Sequence, residues 1–519
     1  MKLAGKRNFV IKRALVLLMS LFIIVHTGCA EKSEAVRTAD VLPTNTPSQT
    51  MIFSEESSGV SATAHSTELF NETIKNTGKE TENISDTESP AVTSEISATV
   101  PSSNAGSSAS DDDSSATAAK ATTENTTLKT SDAAKTAASS ATKLAEPATA
   151  PAATYAPSPT GNPGGAKNEE ITVQSIIDGM TLEEKAAQLF VVVPYAITDI
   201  SSANAANEKY KSVFDEYPLG GFCYMGNSIV SETQVKEMLT KAQQYSYERV
   251  GVPLFTCIDE EGGKVARIGN SDIDVPSVGN MCDIGAAGDS ATAADVGRTI
   301  GKYLSDFGFN VDFAPVADVL SNSENTVVKY RSFGSDTDLV SDMALSVMDG
   351  LEEYGVYGTL KHFPGHGATE GDTHEGYAYT LKTLEELERC ELIPFANGIE
   401  SGVEFIMIGH ISLPNIIVDN TPASLSYEII TELLREKMGY DGIIITDALN
   451  MGAITEQYSS AEAAVNTLLA GADMILMPDD FYSAYEGVLD AVRKGTVSES
   501  RIDESLERIL TVKLEMMGQ

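Results

Sequence analysis

The amino-acid sequence predicts a (β/α)8 barrel that follows a long polar N-terminal region. Eight short apolar runs recur in the last two thirds of the chain, and segments with helix signals separate them. Runs of Val, Ile, Leu and Phe without polar alternation are typical of strands that a parallel sheet buries on both faces. Eight strand–helix units in about 350 residues fit such a barrel. An open doubly wound sheet is the alternative, but no glycine-rich dinucleotide-binding fingerprint follows any of the runs.

The eight runs predict the strands, and capping patterns predict where helices begin. Thr181 and Thr383 are each followed three residues later by a glutamate, the pattern of a capping box, and a comparable pattern begins at Ser498. The predicted strand regions are 188–194, 219–225, 254–261, 310–319, 358–367, 404–412, 442–449 and 472–478.

Residues 1–28 have the pattern of a bacterial lipoprotein signal peptide. A basic start precedes the apolar run 14–25, which is short for a membrane span because a span needs roughly 20 apolar residues. The run ends in Thr27-Gly28-Cys29, which resembles a lipobox, although His26 replaces the usual aliphatic residue. We therefore expect lipidation at Cys29 and a membrane-anchored protein of the cell envelope, outside the cytoplasm.

Residues 29–167 are predicted to form a disordered tether between this anchor and one folded domain, residues 168–519. Ser, Thr, Ala and acidic residues dominate the segment, and aromatic residues are few. Such a composition buries too little apolar surface to offset the entropy cost of ordering.

The charge and the cysteines exclude several classes of partner. The net charge of −39 argues against nucleic acid, because phosphate binding needs basic patches. The cysteines lack metal-ligand spacing, and no His-x3-His pair stands on a predicted helix. We therefore expect mostly buried free thiols, no metal, no cofactor and a monomeric protein.

Histidine and carboxylate side chains concentrate in one loop of the predicted barrel. Residues 361–367 read Lys-His-Phe-Pro-Gly-His-Gly, and Asp372 and His374 follow closely. Three of the six histidines of the chain lie here. Imidazole and carboxylate groups together can move protons at neutral pH, so this loop is a candidate site of acid/base chemistry.

Other polar residues close several of the apolar runs. Asp259, Asp318, Lys361, His410 and Asp447 each stand at the end of a predicted strand. In a (β/α)8 barrel the active site lies at the carboxyl ends of the strands. The ends of separate strands are therefore expected to converge on one site.

These motifs, taken together, resemble the β-N-acetylglucosaminidases (β-N-acetylhexosaminidases) of glycoside hydrolase family 3. The resemblance covers about residues 171–514. It implies a (β/α)8 barrel, cleavage with retention of configuration, and no metal. The motifs that carry it are Ile-Asp-Glu-Glu-Gly-Gly-Lys-Val-Ala-Arg at 258–267, Asp-Phe-Ala-Pro-Val-Ala-Asp at 312–318, Arg-Ser-Phe-Gly at 331–334, the 361–374 loop, and Thr-Asp-Ala-Leu-Asn-Met at 446–451.

The resemblance also implies roles for individual residues. Asp447 matches the nucleophile, His374 the acid/base group and Asp372 its partner. The implied substrate is a carbohydrate, terminal β-linked N-acetylglucosamine on peptidoglycan-derived fragments or related glycosides. The positions that match contacts to this sugar are Asp259, Arg267, Arg331, Lys361 and His362. Residues 321–330 depart from the family pattern, and we expect them to alter the rim of the pocket.

Three other functions are considered. A glycoside phosphorylase or transferase would use the same covalent intermediate, with phosphate or another acceptor in place of water. A broader β-glycosidase would accept other sugars. A tethered sugar-binding protein without activity would lack the nucleophile or the acid/base group, and both are present at Asp447 and His374.

Overall fold

The computed structural model of the protein describes residues 171–198, 205–374, 376 and 378–518. The predicted signal peptide, Cys29 and the predicted tether lie outside the described residues. Within the described part of the chain, no helix is both long and apolar enough to cross a membrane.

Eight parallel strands form the centre of the fold, as the apolar runs predict. Each of the eight predicted regions contains one strand of this sheet, whose strand order is β11-β9-β7-β6-β3-β2-β1-β12. A parallel bridge from Ile445 to Met474 joins the two ends of the sheet and closes it into a barrel. The strands are β1 Phe190–Val192, β2 Gly221–Cys223, β3 Phe255–Ile258, β6 Val311–Asp312, β7 Tyr357–Phe363, β9 Phe405–Ile408, β11 Ile443–Thr446 and β12 Ile475–Leu476.

Two small sheets, which the apolar runs do not predict, stand outside the barrel sheet. An antiparallel hairpin joins β4, Glu260–Gly262, to β5, Val265–Ala266. A parallel pair joins β8, Ala378–Tyr379, to β10, Ile411–Ser412. Both follow barrel strands, and β8 lies just after the histidine-rich loop.

Helices alternate with the barrel strands along the chain. Two of them, α7 and α8, pack closely: a Cβ atom added at Gly297 would lie 2.1 Å from the Val347 carbonyl oxygen. The helices are α1 Val173–Gly179, α2 Leu182–Ala187, α3 Pro194–Thr198, α4 Glu208–Glu216, α5 Glu232–Val250, α6 Met281–Ala287, α7 Ser290–Phe307, α8 Thr337–Glu352, α9 Leu384–Glu388, α10 Ile393–Ser401, a π-helix at Glu428–Lys437, α11 Gly452–Thr455, α12 Ser460–Ala470, α13 Phe481–Arg493 and α14 Glu499–Gly518. Short 3-10 turns occupy Gly226–Ser228, His366–Ala368 and Ala423–Leu425.

The predicted helix starts are confirmed. Thr181 and Thr383 each form a reciprocal capping box with the glutamate three residues later. Ser498 caps α14 by accepting the Arg501 backbone N–H. The expectation of buried thiols holds for Cys223 and Cys257, whereas Cys282 and Cys390 are partly exposed.

The last helix inserts a lysine, Lys513, into the bottom of the barrel. Its side chain is fully buried, and its Nζ donates to Gln188 Oε1 at 2.8 Å. The nitrogen also lies 5.0 Å from the centre of the Phe255 ring, which packs on Phe405 across the barrel. Burial in this apolar setting disfavours the charged form and lowers the pKa of Lys513 to about 7.

The pKa of Lys513 is lower in the folded state than its ordinary value near 10.5. Between these two pKa values the unfolded chain therefore carries a proton on Lys513 that the folded chain does not. The stability of the wild type should therefore fall as pH decreases from about 10 to about 7. We expect Lys513→Met to gain stability relative to the wild type over this range, by about 2 kcal/mol between pH 9 and pH 7. Thermal or urea unfolding of both proteins at the two pH values measures this difference.

Lys494→Met is the matched control, since the Lys494 side chain is 72% exposed. Its stability relative to the wild type should stay nearly constant between the two pH values. An equally constant difference for Lys513→Met would contradict the burial of an uncharged amine.

Candidate active site

A buried cluster of opposite charges lies where β3 and β7 end. Lys361 on β7 is 2% exposed, and its ammonium contacts Asp259 Oδ1 at 3.0 Å and Glu261 Oε1 at 2.7 Å. Both carboxylates directly follow the buried apolar run of β3. An ammonium has three donors, so Lys361 satisfies two buried carboxylates at once.

Two arginines complete this cluster. Arg331, which precedes α8, binds Glu261 in a bidentate pair with distances of 2.7 and 2.8 Å. Arg267, just after β5, donates to Asp259 Oδ2 at 2.9 Å. Planar guanidinium groups suit such two-point contacts with carboxylates.

The charge pairing keeps both carboxyl groups of the cluster ionised. Burial alone would raise their pKa values. Arg331 and Lys361 nevertheless lower the pKa of Glu261 to about 2, and Lys361 and Arg267 hold the pKa of Asp259 below its usual value. Ionised carboxylates at this depth are strong acceptors for the hydroxyl groups of a sugar.

His362, next to Lys361, is oriented by a buried carboxylate. Asp318 accepts the His362 backbone N–H at 3.1 Å, and its other oxygen lies 2.7 Å from His362 Nδ1. The opposite ring nitrogen, Nε2, lies 3.3 Å from an Arg331 nitrogen. Asp318 therefore fixes the ring beside the charged cluster.

Asp447 follows β11 and faces the same region. Its backbone N–H donates to the Ile408 carbonyl at 2.8 Å, and its Oδ1 accepts the Ala448 N–H at 2.8 Å. Burial would raise the pKa of Asp447, but the His362 and His410 rings, the Ala448 N–H and the Lys361 ammonium hold it below its usual value. The carboxylate is thus ionised and rigidly placed, as a nucleophile requires.

His410 supports the segment that carries Asp447. It is fully buried at the end of β9, and its Nε2 lies 2.9 Å from the Ala448 carbonyl oxygen. Because that oxygen only accepts, Nε2 carries the proton and Nδ1 accepts from Ser424 Oγ at 2.7 Å. Burial lowers the pKa of His410 and favours this neutral form.

Asp372 and His374, for which the sequence predicts an acid/base role, contact each other on the loop between β7 and β8. Asp372 Oδ1 lies 2.8 Å from His374 Nδ1 and also accepts the His374 backbone N–H at 2.9 Å. Partial burial would raise the pKa of Asp372, yet these hydrogen bonds and the His374 ring lower it. The His374 side chain is 63% exposed. With Nδ1 on Asp372, Nε2 is the nitrogen that can exchange a proton with a ligand.

The geometry joins five of the predicted site residues into one network and places Asp372 and His374 on each other. The contacts of Glu261, Asp318 and His410 were not predicted. Glu261 lies in the 258–267 motif, Asp318 lies in the 312–318 motif, and His410 follows a predicted strand. Their positions at strand ends could have indicated that they belong to the site. The five joined residues are Asp259, Arg267, Arg331, Lys361 and His362. Among the described residues, no group of three His, Cys, Asp or Glu side chains is arranged to hold a metal ion.

Comparison with known proteins places this site in a family. The model of the glycosyl hydrolase family 3 N-terminal domain matches residues 181–512. Beta-hexosaminidase A of Pseudoalteromonas piscicida is 33% identical over 329 residues, which are 59% of this chain and 54% of that protein. The chain therefore spans about half the length of that relative. Beta-hexosaminidase LpqI of Mycobacterium tuberculosis is 31% identical over 387 residues, which are 71% of this chain and 89% of that protein.

A solved structure shares the fold. The glycoside hydrolase family 3 beta-N-acetylglucosaminidase from Paenibacillus sp. str. FPU-7 matches with a TM-score of 0.61 and 36% identity, over 65% of this chain and 63% of that chain. The family match covers more than half of the chain and includes all of the site residues described above. The chain therefore belongs to glycosyl hydrolase family 3.

Proposed function

We propose that the protein is a retaining exo-acting β-N-acetylglucosaminidase. The observation that carries this proposal is the ionised Asp447 carboxylate, fixed at a strand end beside a cluster of buried charges. The choice of sugar rests on the relatives, which are named beta-hexosaminidases and a beta-N-acetylglucosaminidase. Peptidoglycan-derived fragments fit this sugar and the predicted location in the cell envelope.

In the first step, an oxygen of Asp447 attacks the anomeric carbon of the bound sugar. The bond from that carbon to the leaving oxygen breaks, and this oxygen takes a proton from Nε2 of His374. Asp372 holds the His374 ring through Nδ1 and stabilises its protonated form, as the carboxylate does in a serine-protease triad. The product of this step is a covalent glycosyl-enzyme on Asp447.

In the second step, water replaces Asp447 on the anomeric carbon. His374 Nε2 takes a proton from the water as the water oxygen attacks, and the bond to Asp447 breaks. Two inversions at the same carbon give net retention. The free sugar leaves, and Asp447 and His374 return to their starting states.

The buried charge cluster is proposed to hold the non-reducing sugar during both steps. Asp259 can accept from sugar hydroxyls, while Arg331, Lys361 and His362 supply donors. Because these groups bind each other before the sugar arrives, they are already ordered. A preorganised polar site loses less entropy on binding.

We expect Asp447→Ala and His374→Ala to lose activity in different ways. Asp447→Ala should lose at least about 10⁴-fold on every N-acetyl-β-glucosaminide, because no intermediate forms. His374→Ala should lose about 10²–10⁴-fold in kcat/KM on a phenyl glycoside, whose leaving group needs a proton. On a dinitrophenyl glycoside, which needs none, its kcat/KM should stay within about 10-fold of the wild type.

Azide provides a second measurement for His374→Ala. As an anionic nucleophile it needs no general base, so it should restore turnover of the dinitrophenyl glycoside and yield a β-glycosyl azide.

Asp441→Ala is the matched control for Asp447→Ala, since Asp441 is an exposed carboxylate just before β11. It should keep the activity of the wild type. Full activity of either site variant would overturn the proposed mechanism.

The nature of the acceptor separates hydrolysis from phosphorolysis. We expect free N-acetylglucosamine as the main product in phosphate buffer, with little change in kcat when a non-nucleophilic buffer replaces phosphate. Product identification by mass spectrometry makes the test. Accumulation of a sugar phosphate, with a rate that rises with phosphate concentration, would assign the alternative function of a phosphorylase.

Membrane attachment through Cys29 is a separate proposal that rests on the sequence pattern. We expect the full chain to incorporate a labelled fatty acid when it is produced in a bacterial host, and Cys29→Ser to lose this label. Activity per molecule should be equal for both proteins, because residues 1–28 precede the barrel. Equal labelling of the Cys29→Ser protein would show that Cys29 is not the lipidated residue.

A further inference from the structure

The turn that carries the acid/base pair is held to the barrel through Thr373, the residue between Asp372 and His374. Thr373 is 1% exposed, whereas its two neighbours face the solvent. Its carbonyl oxygen accepts the Ala453 N–H at 3.2 Å. Its hydroxyl lies 3.4 Å from Nε2 of His366. The contact with Ala453 therefore fixes the backbone of the turn, and the contact with His366 fixes the Thr373 side chain.

His366 itself is firmly placed at the carboxyl end of the barrel. Its backbone N–H donates to Asp318 Oδ1 at 2.6 Å, on the same carboxylate that orients His362. Its Nδ1 lies 3.0 Å from the hydroxyl of Thr369. The ring is 1% exposed and lies 5.7 Å from the His362 ring. His366 thus connects the sugar-binding side of the site to the loop.

The ring of His366 is suited to a fixed contact and not to proton transfer. Burial, with the neighbouring His362, lowers the pKa of His366 to about 4. The ring is therefore neutral near pH 7. A neutral imidazole has one donor and one acceptor nitrogen, so it can serve the hydroxyls of Thr369 and Thr373 together.

Residues 321–325 hold His366 and the residues after it from the outside. The Asn325 amide donates to the His366 carbonyl at 2.9 Å, and Asn322 donates to the Gly367 and Thr369 carbonyls at 3.0 and 2.9 Å. A Cβ atom at Gly367 would lie 2.0 Å from the carbonyl oxygen of Val319, so the chain just before residue 321 also packs directly against the 366–369 segment. An effect of residues 321–330 on the pocket rim stays a prediction, and the contacts of residues 321–325 support residues 366–369.

We propose that His366 is a positioning residue that acts through Thr373 to hold the Asp372–His374 pair in its productive place. The proposal rests on the acid/base role of that pair in the proposed function. Gly371 and Gly376 flank the turn with φ values of 84° and 139°, a conformation that glycine tolerates easily. The position of the turn therefore depends on the contacts of Thr373. Loss of the Thr373 hydroxyl would remove the contact with His366 that holds this side of the turn.

Thr373→Val tests this role, because valine keeps the shape of threonine and removes only the hydroxyl. We expect kcat/KM on a phenyl N-acetyl-β-glucosaminide to fall about 5- to 20-fold, the effect of one neutral hydrogen bond. On the dinitrophenyl glycoside, kcat/KM should stay within about twofold, since that leaving group needs no proton. His366→Leu, which removes the ring nitrogens and with them the contact, should show the same dependence on the leaving group.

Two variants serve as controls. Thr373→Ser keeps the hydroxyl and should retain the phenyl glycoside activity of the wild type. Thr467→Val makes the same change on α12 at a buried threonine whose hydroxyl has no hydrogen-bond partner among the described residues. It should leave both activities unchanged. Melting temperatures of all variants identify any that fail to fold.

The outcomes separate positioning from general damage. Equal losses of Thr373→Val on both glycosides would show a structural role for the hydroxyl and overturn the proposal. No loss on either glycoside would overturn it as well. If the wild type cleaves both substrates but His374→Ala behaves like the wild type, the acid/base assignment fails, and this inference fails with it. A wild type that cleaves neither glycoside would instead refute the proposed function itself.

Discussion

The pairing of buried charges at the mouth of the barrel is the constraint on which the rest of the site depends. Lys361 is almost fully enclosed between Asp259 and Glu261, and Glu261 is in turn held by Arg331. Removing one partner from such a buried pair costs about 3–5 kcal/mol, because the other charge remains without compensation. Arg331 and Glu261 lie 70 positions apart in the chain, and Lys361 and Asp259 lie 102 positions apart. The cluster therefore forms only when β3, β7 and the segment before α8 are correctly assembled.

Rigid and adjustable parts of the site are divided between different elements. Asp447, Asp259 and Lys361 stand on or just after barrel strands, where backbone hydrogen bonds from neighbouring strands fix the chain. The proposed acid/base pair stands on a turn where Asp372 and His374 bond to each other. A nucleophile must meet one carbon atom at a fixed angle, whereas a proton donor must reach leaving groups of different sizes. The two kinds of element suit these two demands.

The barrel was predictable because its signal is local. Each strand is a short apolar run, and all eight predicted regions contain one. The lengths of the strands were harder to predict. In the region 310–319 only Val311–Asp312 forms a strand, since Pro315 lacks the N–H that a ladder needs. The partners of side chains were the hardest feature to predict. Asp318, for example, contacts His362, which lies 44 positions away in the chain. A linear pattern locates strand ends but does not say which charges pair there. It also marked residues 321–330 without indicating that residues 321–325 contact residues 366–369.

The position of Asp447 near the Lys361 ammonium has a consequence for the charge of the pocket during turnover. In the proposed mechanism, esterification removes the negative charge of Asp447 while His374 gives up its proton, so the total charge of the enzyme does not change. The two changes occur on different elements: the region around Asp447 becomes one unit more positive, and the turn that carries His374 becomes one unit less positive. At effective dielectric constants near those of protein sites, a unit charge at about 4 Å contributes about 4 kcal/mol. The electric field around Asp447 thus favours an acceptor oxygen that gains negative character as it arrives, and it does so only after the first bond has been broken.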